Sequence, residues 1–399
     1  MARKIIVCMD GTGNDVGDRQ TNILRLYRCL VTDSDTQRAI YVPGVGTNDS
    51  QSLMGRNWQR FKGVLGLAFG LGLEDNVMNA YRKICLTHED GDEILLFGFS
   101  RGAYAVRVLA GFINDFGLLG AHELHLAPQV FRAYRRITDA DDDDPDSEVY
   151  QRLREYEEVL EVRHVPVRFL GLYDTVSSMI RFRRLWHNFR TTGSFLEFGT
   201  HSSVNRNPSV EMVRHALAID ERRSMFRAQP WSPVRYYGNR FKSGDGKPQD
   251  VKQMWFPGYH SDIGGSPLEH RAGIGKITLL WMLGELEKAG VALEFVGDRV
   301  DDYVHGADPE KRTPGGLRYS DPDPLAPIHN SMIWKWWVFE IIPKSLTRRE
   351  WKPWRRGIIW YLPFVEPRLI PDDHLISDAA TARKADPDTD YDPVNLRGR

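Results

Sequence analysis

A chain of 399 residues, 41% of them hydrophobic, can bury a substantial core as one large domain with insertions or as two domains. Its formal net charge of −1 excludes a global basic field for nucleic acid, so charged recognition has to come from local patches. The three cysteines, Cys8, Cys29 and Cys85, form no C-x-x-C pair, the N-terminus shows no signal-peptide apolar region, and no apolar run reaches the ~20 residues of a membrane span, all of which points to a soluble protein of a reducing compartment.

Lys4 to Met9 reads as a strand, ending in Asp10-Gly11-Thr12-Gly13-Asn14, a turn of residues that tolerate unusual backbone angles and expose N–H groups. Thr21 to Leu30 places Ile23, Leu26, Tyr27 and Leu30 on one helical face, and Arg38 to Val42 is a second strand. Phe61 to Leu73 carries four glycines but lacks the G-K-[ST] ending of a phosphate loop, and it reads as close packing. Glu74 to Leu86 is a helix with Val77, Ala80, Tyr81 and Ile84 inward.

Glu93 to Tyr104 takes a buried strand through a sharp turn into a helix. Ile94 to Phe97 is an unbroken apolar run suited to a strand covered on both faces, and Ala103 to Ala110 favours helix. The turn between them, Gly98-Phe99-Ser100-Arg101-Gly102, has the form G-x-S-x-G. That geometry sets Ser100 on a strained corner while Gly98 and Gly102 let strand and helix pass closely.

Asp139 to Asp146 is an acidic tract without the glycine and spaced ligands of a calcium loop, and it reads as solvated. Glu148 to Leu160 is a charged surface helix, and Val165 to Tyr173 is a buried strand that stops at Asp174-Thr175-Val176. Arg181 to Arg190 interleaves cations with aromatics, which suits an anionic interface or, as the favoured reading, a loop packed on the core. Val210 to Ile219 is predicted as a helix, which makes His215 structural; Val251 to Phe256 is a strand leading into the Gly-bounded loop Pro257 to Gly265 that holds His260. Ile277 to Ala289 is predicted as a strongly amphipathic helix.

Strands alternating with helices predict an α/β fold, α/β-hydrolase-like, with a mostly parallel sheet and helices on both faces. Residues 1–300 are expected to form the core with insertions, and 301–399 a Trp-rich C-terminal extension acting as cap or lid. Trp334, Trp336, Trp337, Trp351, Trp354 and Trp360, with Lys335, Arg348, Arg349, Lys352, Arg355 and Arg356, suit either a cap over the core or a peripheral membrane contact. From Ser377 onward an irregular tail is expected.

A serine hydroxyl needs a base to take its proton and a carboxylate to orient that base. Ser100, Asp174 and His260 follow the order Ser, Asp, His, each on a loop past a strand. His201, His270 and His374 are the remaining candidates for the base, without a comparable strand before them. The oxyanion donors expected are the Arg101 N–H and that of Gly11 or Thr12, with Asp10 bracing its turn and Asp262 fixing the His260 loop. His260 and Asp262 could ligate a metal, but no third ligand is evident in the sequence.

The strings Asp10 to Asn14, Gly98 to Ala103, Tyr173 to Val176, Arg214 to Arg223 and Trp255 to Gly265 together resemble the catalytic domain of the type VI secretion phospholipase effector family, over residues 1 to about 340. The resemblance implies that Ser100, Asp174 and His260 occupy triad positions, that an acyl ester of a phospholipid is hydrolysed, and that no cofactor is required. It also implies release without a signal peptide, with a cytoplasmic enzyme as the other option. A soluble esterase or thioesterase stays open. So does a phosphohydrolase, whose D-x-D-G-T motif is matched by Asp10-Gly11-Thr12 but carries Cys8 at the nucleophile position, and so does a non-catalytic scaffold that keeps the fold.

Overall fold

Strand β1 (Lys4–Met9) leads through helix α1 (Asn22–Cys29) to β2 (Gln37–Val42), and α2 (Leu73–Thr87) precedes β3 (Glu93–Phe99). Helices α3 (Arg101–Asp115), α4 (Ala127–Asp139) and α5 (Glu148–Val159) then lead to β4 (Val167–Tyr173). β5 (Val210–Ala218) and β6 (Asp250–Phe256) are followed by the short α6 (His260–Ile263) and the long α7 (Gly273–Lys288). Helix α8 (Trp334–Glu340), strand β7 (Leu375–Ile376) and helix α9 (Asp378–Ala385) complete the principal elements. The computed structural model describes residues 2–11, 19–44, 72–139, 148–176, 179–182, 196–199, 204–238, 244–345 and 360–398. Thr12, nearly all of the Gly-rich 61–73 stretch, the acidic tract 140–146, residues 183–190, His201, Trp351 and Trp354 lie outside the described residues.

The seven strands form one sheet in the order β7-β6-β5-β4-β3-β1-β2, every neighbouring pair parallel. Because β2 lies on one side of β1 and β3 on the other, the order reverses between β1 and β3. In an open parallel sheet such a reversal leaves a crevice at the carboxyl ends of the strands, and Asp10 and Ser100 follow the two strands that flank it.

Alternating side chains of the central strands enter two different cores, which is why their sequences read as continuous apolar runs. Ile5, Val7, Ile94 and Leu96 pack with α2 and α3, whereas Ile6, Cys8, Leu95 and Phe97 pack with α1 and α7. Cys8, at the position an aspartyl phosphatase would use for attack, is wholly buried, and burial pushes its thiol far above the usual range.

Three expectations are corrected. Val210 to Ala218 is the strand β5 and not a helix. Val210, Val213 and Leu217 mimic helical spacing, but β5 is covered on both faces and holds its polar residues through specific partners. Arg214, for example, pairs with Glu285 at 2.8 Å and Asp250 at 2.7 Å. Helix α7 does not separate apolar from polar faces, because its buried residues include Lys276, Thr278 and Glu285. Lys276 reaches Glu269 at 2.5 Å, and Glu269 also takes Arg25 at 2.8 Å, so both buried cations share one buried carboxylate. Finally, Ser377 onward is not an irregular tail. Ser377 caps α9, β7 pairs in parallel with β6, and Ala380 and Leu396 join Trp255 in a third core cluster.

Candidate active site

Ser100 stands between β3 and α3 with φ 57° and ψ −119°, a left-handed conformation that costs a non-glycine residue roughly 1–3 kcal/mol. The flanking glycines make the corner sterically possible. A Cβ on Gly102 would stand 2.1 Å from the Met9 carbonyl oxygen, and one on Gly98 would stand 2.5 Å from that of Gly102. β3, α3 and the end of β1 therefore converge more closely than any side chain would allow.

His260 opens α6, two residues past a left-handed Gly258 at φ 112°. Its Nε2 lies 2.8 Å from Ser100 Oγ and its Nδ1 2.6 Å from Asp174 Oδ2. An ionised carboxylate only accepts, so Nδ1 carries the proton, and Nε2 of the neutral ring is then the acceptor for the serine hydroxyl. The imidazole packs between Phe99 and Phe226, with ring centroids at 4.9 and 5.0 Å. Its backbone is held too: the His260 N–H donates to Glu221 Oε2 at 3.3 Å, and Asn22 Nδ2 donates to the Ile263 carbonyl at 3.0 Å.

Asp174 follows β4, has φ 39° and is wholly buried. Arg368 donates to both its oxygens, at 2.6 and 3.0 Å, and the Ala218 N–H donates to Oδ1 at 3.0 Å. Burial would raise this carboxyl, but the guanidinium of Arg368 and the bond from His260 outweigh it and hold the group below the usual carboxylate range. His215, next to this turn, takes the Thr175 N–H on Nε2 at 3.2 Å; burial and the neighbouring Arg107 keep its pKa well below the usual value.

The other sequence candidates fall into place around this chain of groups. Asp10 accepts from Thr21 Oγ1 at 2.6 Å, from Tyr41 at 2.8 Å and from the Gly11 N–H at 2.6 Å. Gly11 thus gives its N–H to the side chain of its own neighbour. Arg101 begins α3, whose first-turn N–H groups have no acceptor within the helix. Asp262 accepts the Tyr259 N–H at 2.8 Å and the His329 N–H at 3.1 Å, and meets His329 Nδ1 at 2.6 Å. His374 is engaged behind the sheet, taking Trp255 Nε1 on Nδ1 at 2.9 Å, and His270 is exposed on a single turn of 3₁₀ helix. No group of three or more metal-binding side chains occurs among the described residues.

Sequence reasoning missed Arg368, His329, Glu221 and Asn22. Each acts across long stretches of chain, and nothing in local spacing marks them. Arg368 lies 194 positions from Asp174, in the region read as an extension.

A parallel sheet with a serine on a strand-to-helix corner, and an aspartate and a histidine on loops past two further strands, defines an α/β-hydrolase-like protein. The chain belongs to the family described as T6SS, phospholipase effector Tle1-like, catalytic domain, whose model matches residues 3–285. An uncharacterised protein of Saccharomyces cerevisiae, YEL023C, is 30% identical over 253 residues, covering 60% of this chain and 34% of the yeast protein. Two solved structures are similar. An uncharacterised protein from Pseudomonas aeruginosa is 18% identical with a TM-score of 0.40, over 75% of this chain and 48% of that one. A Tle1 effector bound to the VgrG spike of the type VI secretion system is 20% identical with a TM-score of 0.31, over 67% of this chain and 54% of that one. The chain therefore spans about half or less of the length of each of these relatives.

Proposed function

We propose that the chain is a serine hydrolase that cleaves acyl esters of phospholipids, with Ser100 as nucleophile, His260 as base and Asp174 as the group that orients it. The observation that carries this reading is the unbroken chain of contacts from Ser100 Oγ through both nitrogens of His260 to a buried, ionised Asp174. His260 takes the serine proton as Oγ attacks the acyl carbonyl, and the imidazolium gains the Asp174 charge beside it. The Arg101 N–H serves the oxyanion, with a second donor from the Thr12 side of the β1 loop. His260 then returns the proton to the leaving alcohol, and water, deprotonated by the same imidazole, releases the acyl group.

The phospholipid substrate rests on family membership and on the surface beside the site. Trp336 packs inward on Phe226, at 5.3 Å between centroids, while Trp334, Trp337, Val338 and Ile341 of the same helix and its end face solvent, Trp334 being 75% exposed. Glu340 fastens this helix by accepting from the Ser224 N–H and hydroxyl, both at 2.7 Å. An aromatic face of this kind, in a stretch where Lys335 and Arg348 interleave with tryptophan, suits peripheral contact with a lipid surface. No helix among the described residues is long and apolar enough to cross a membrane. Delivery through a type VI-like route, bound to a spike protein as the Tle1 effector is, belongs to the same reading.

The test is free fatty acid release from phospholipid vesicles alongside hydrolysis of short p-nitrophenyl esters. Fatty acid release that disappears in Ser100→Ala is expected. Rapid turnover of soluble esters with none from vesicles would make the chain a general esterase.

A further inference from the structure

Beside the loop that carries His260 lies an open groove of about 470 Å³, lined chiefly by Asp220, Arg222, Tyr259, Asn330, Val365 and Tyr391. Asp220 is only 8% exposed, and its Oδ2 accepts the Gly258 N–H at 2.6 Å and the Tyr391 hydroxyl at 2.9 Å. Among the described residues no cation lies within ion-pair distance of this carboxylate. The Arg222 guanidinium likewise has no carboxylate partner among them, so two opposite charges line one groove without pairing with each other. Burial pushes the Asp220 carboxyl up to about 6, and the bonds from Gly258 and Tyr391 and the more distant charge of Arg222 offset it only in part.

A carboxylate beside a tyrosine ring, here Tyr259, is a good seat for an alkylammonium group, and a nearby guanidinium is a good seat for a phosphate; the Tyr391 ring already carries the Arg383 guanidinium at 5.6 Å. The groove also adjoins the exposed apolar surface. Val365 follows Phe364, which is 59% exposed, and Asn330 lies just before Ile333, where the outward face of α8 begins.

We propose that this groove binds the headgroup of a zwitterionic glycerophospholipid, with the ammonium against Asp220 and the ring of Tyr259 and the phosphate against Arg222. The proposal deepens the phospholipase reading and rests on it for the lipid.

Two measurements on the whole chain test it. Calorimetric titration with glycerophosphoethanolamine, the soluble headgroup, is expected to saturate, and Asp220→Asn is expected to weaken it by about tenfold or more. Asparagine keeps an acceptor oxygen for Gly258 and Tyr391, so it removes the charge while leaving the brace of the loop. Fatty acid release is also expected to favour phosphatidylethanolamine over phosphatidylglycerol vesicles, with that ratio collapsing in Asp220→Asn and Arg222→Gln. No saturable titration, or equal binding by wild type and Asp220→Asn, overturns the site. Saturable binding with no vesicle cleavage of any kind keeps the site and overturns the phospholipase reading. Vesicle cleavage indifferent to headgroup, with a silent titration, does the reverse.

Discussion

His260→Ala is expected to lower turnover of a p-nitrophenyl ester by about 10⁴- to 10⁶-fold while the chain stays folded. The size follows from the geometry. Nε2 is the group in contact with Ser100 Oγ, at 2.8 Å, and without it the hydroxyl has to lose its proton to water. The fold is expected to survive because the loop does not depend on the imidazole. The His260 N–H is held by Glu221, the Tyr259 N–H by Asp262, and Asp174 keeps both bonds from Arg368 after the ring is gone. Residues acting as one unit are non-additive, so a Ser100→Ala/His260→Ala double variant should be no slower than either single one. A further large loss in the double variant, measured as kcat on the same ester, would mean that the two side chains contribute separately.

Arg368→Met is expected to be the most damaging change outside the three central residues. It leaves a wholly buried carboxylate with only His260 and the Ala218 N–H, and breaking a buried pair from one side costs about 3–5 kcal/mol. The sign with pH follows from Asp174. In the wild type its carboxyl is depressed, so the stability it contributes is present above the unfolded carboxyl value and is lost as pH falls through the lower folded value. In the variant only His260 and the Ala218 N–H oppose burial, so the carboxyl rises from its depressed wild-type position. The stability that the ionised carboxylate contributes in the wild type is then diminished, and the gap in melting temperature between variant and wild type should be widest at neutral pH and narrow toward about pH 4. Arg368→Met/Asp174→Asn is expected to recover stability without recovering activity, since it removes the orphaned charge. A gap independent of pH would place the loss in packing instead.

Much of the sheet was legible because its strands announce themselves. β1, β3 and β4 are short, largely apolar runs, β6 stops at Pro257, and both the serine corner and the His260 loop show glycines where the chain must turn or pass closely. β5 was not legible, because a strand covered on both faces has no alternation and its buried Arg214 and His215 look like the polar face of a helix. The contribution of the C-terminal region was hidden for a different reason. Arg368, β7 and α9 act on residues far away in sequence, and a surface arginine and one that holds a buried aspartate are written with the same letter. The boundary expected at residue 300 consequently divides groups that meet at Asp174, and we propose that residues 360–398 work as part of the catalytic body.

The most direct measurement is mass spectrometry of the chain after reaction with a fluorophosphonate, with peptide mapping of the adduct. One adduct on Ser100 is expected, absent in Ser100→Ala and formed far more slowly in His260→Ala. An unlabelled wild type, or labelling undiminished in Ser100→Ala, would contradict a nucleophilic serine at this corner.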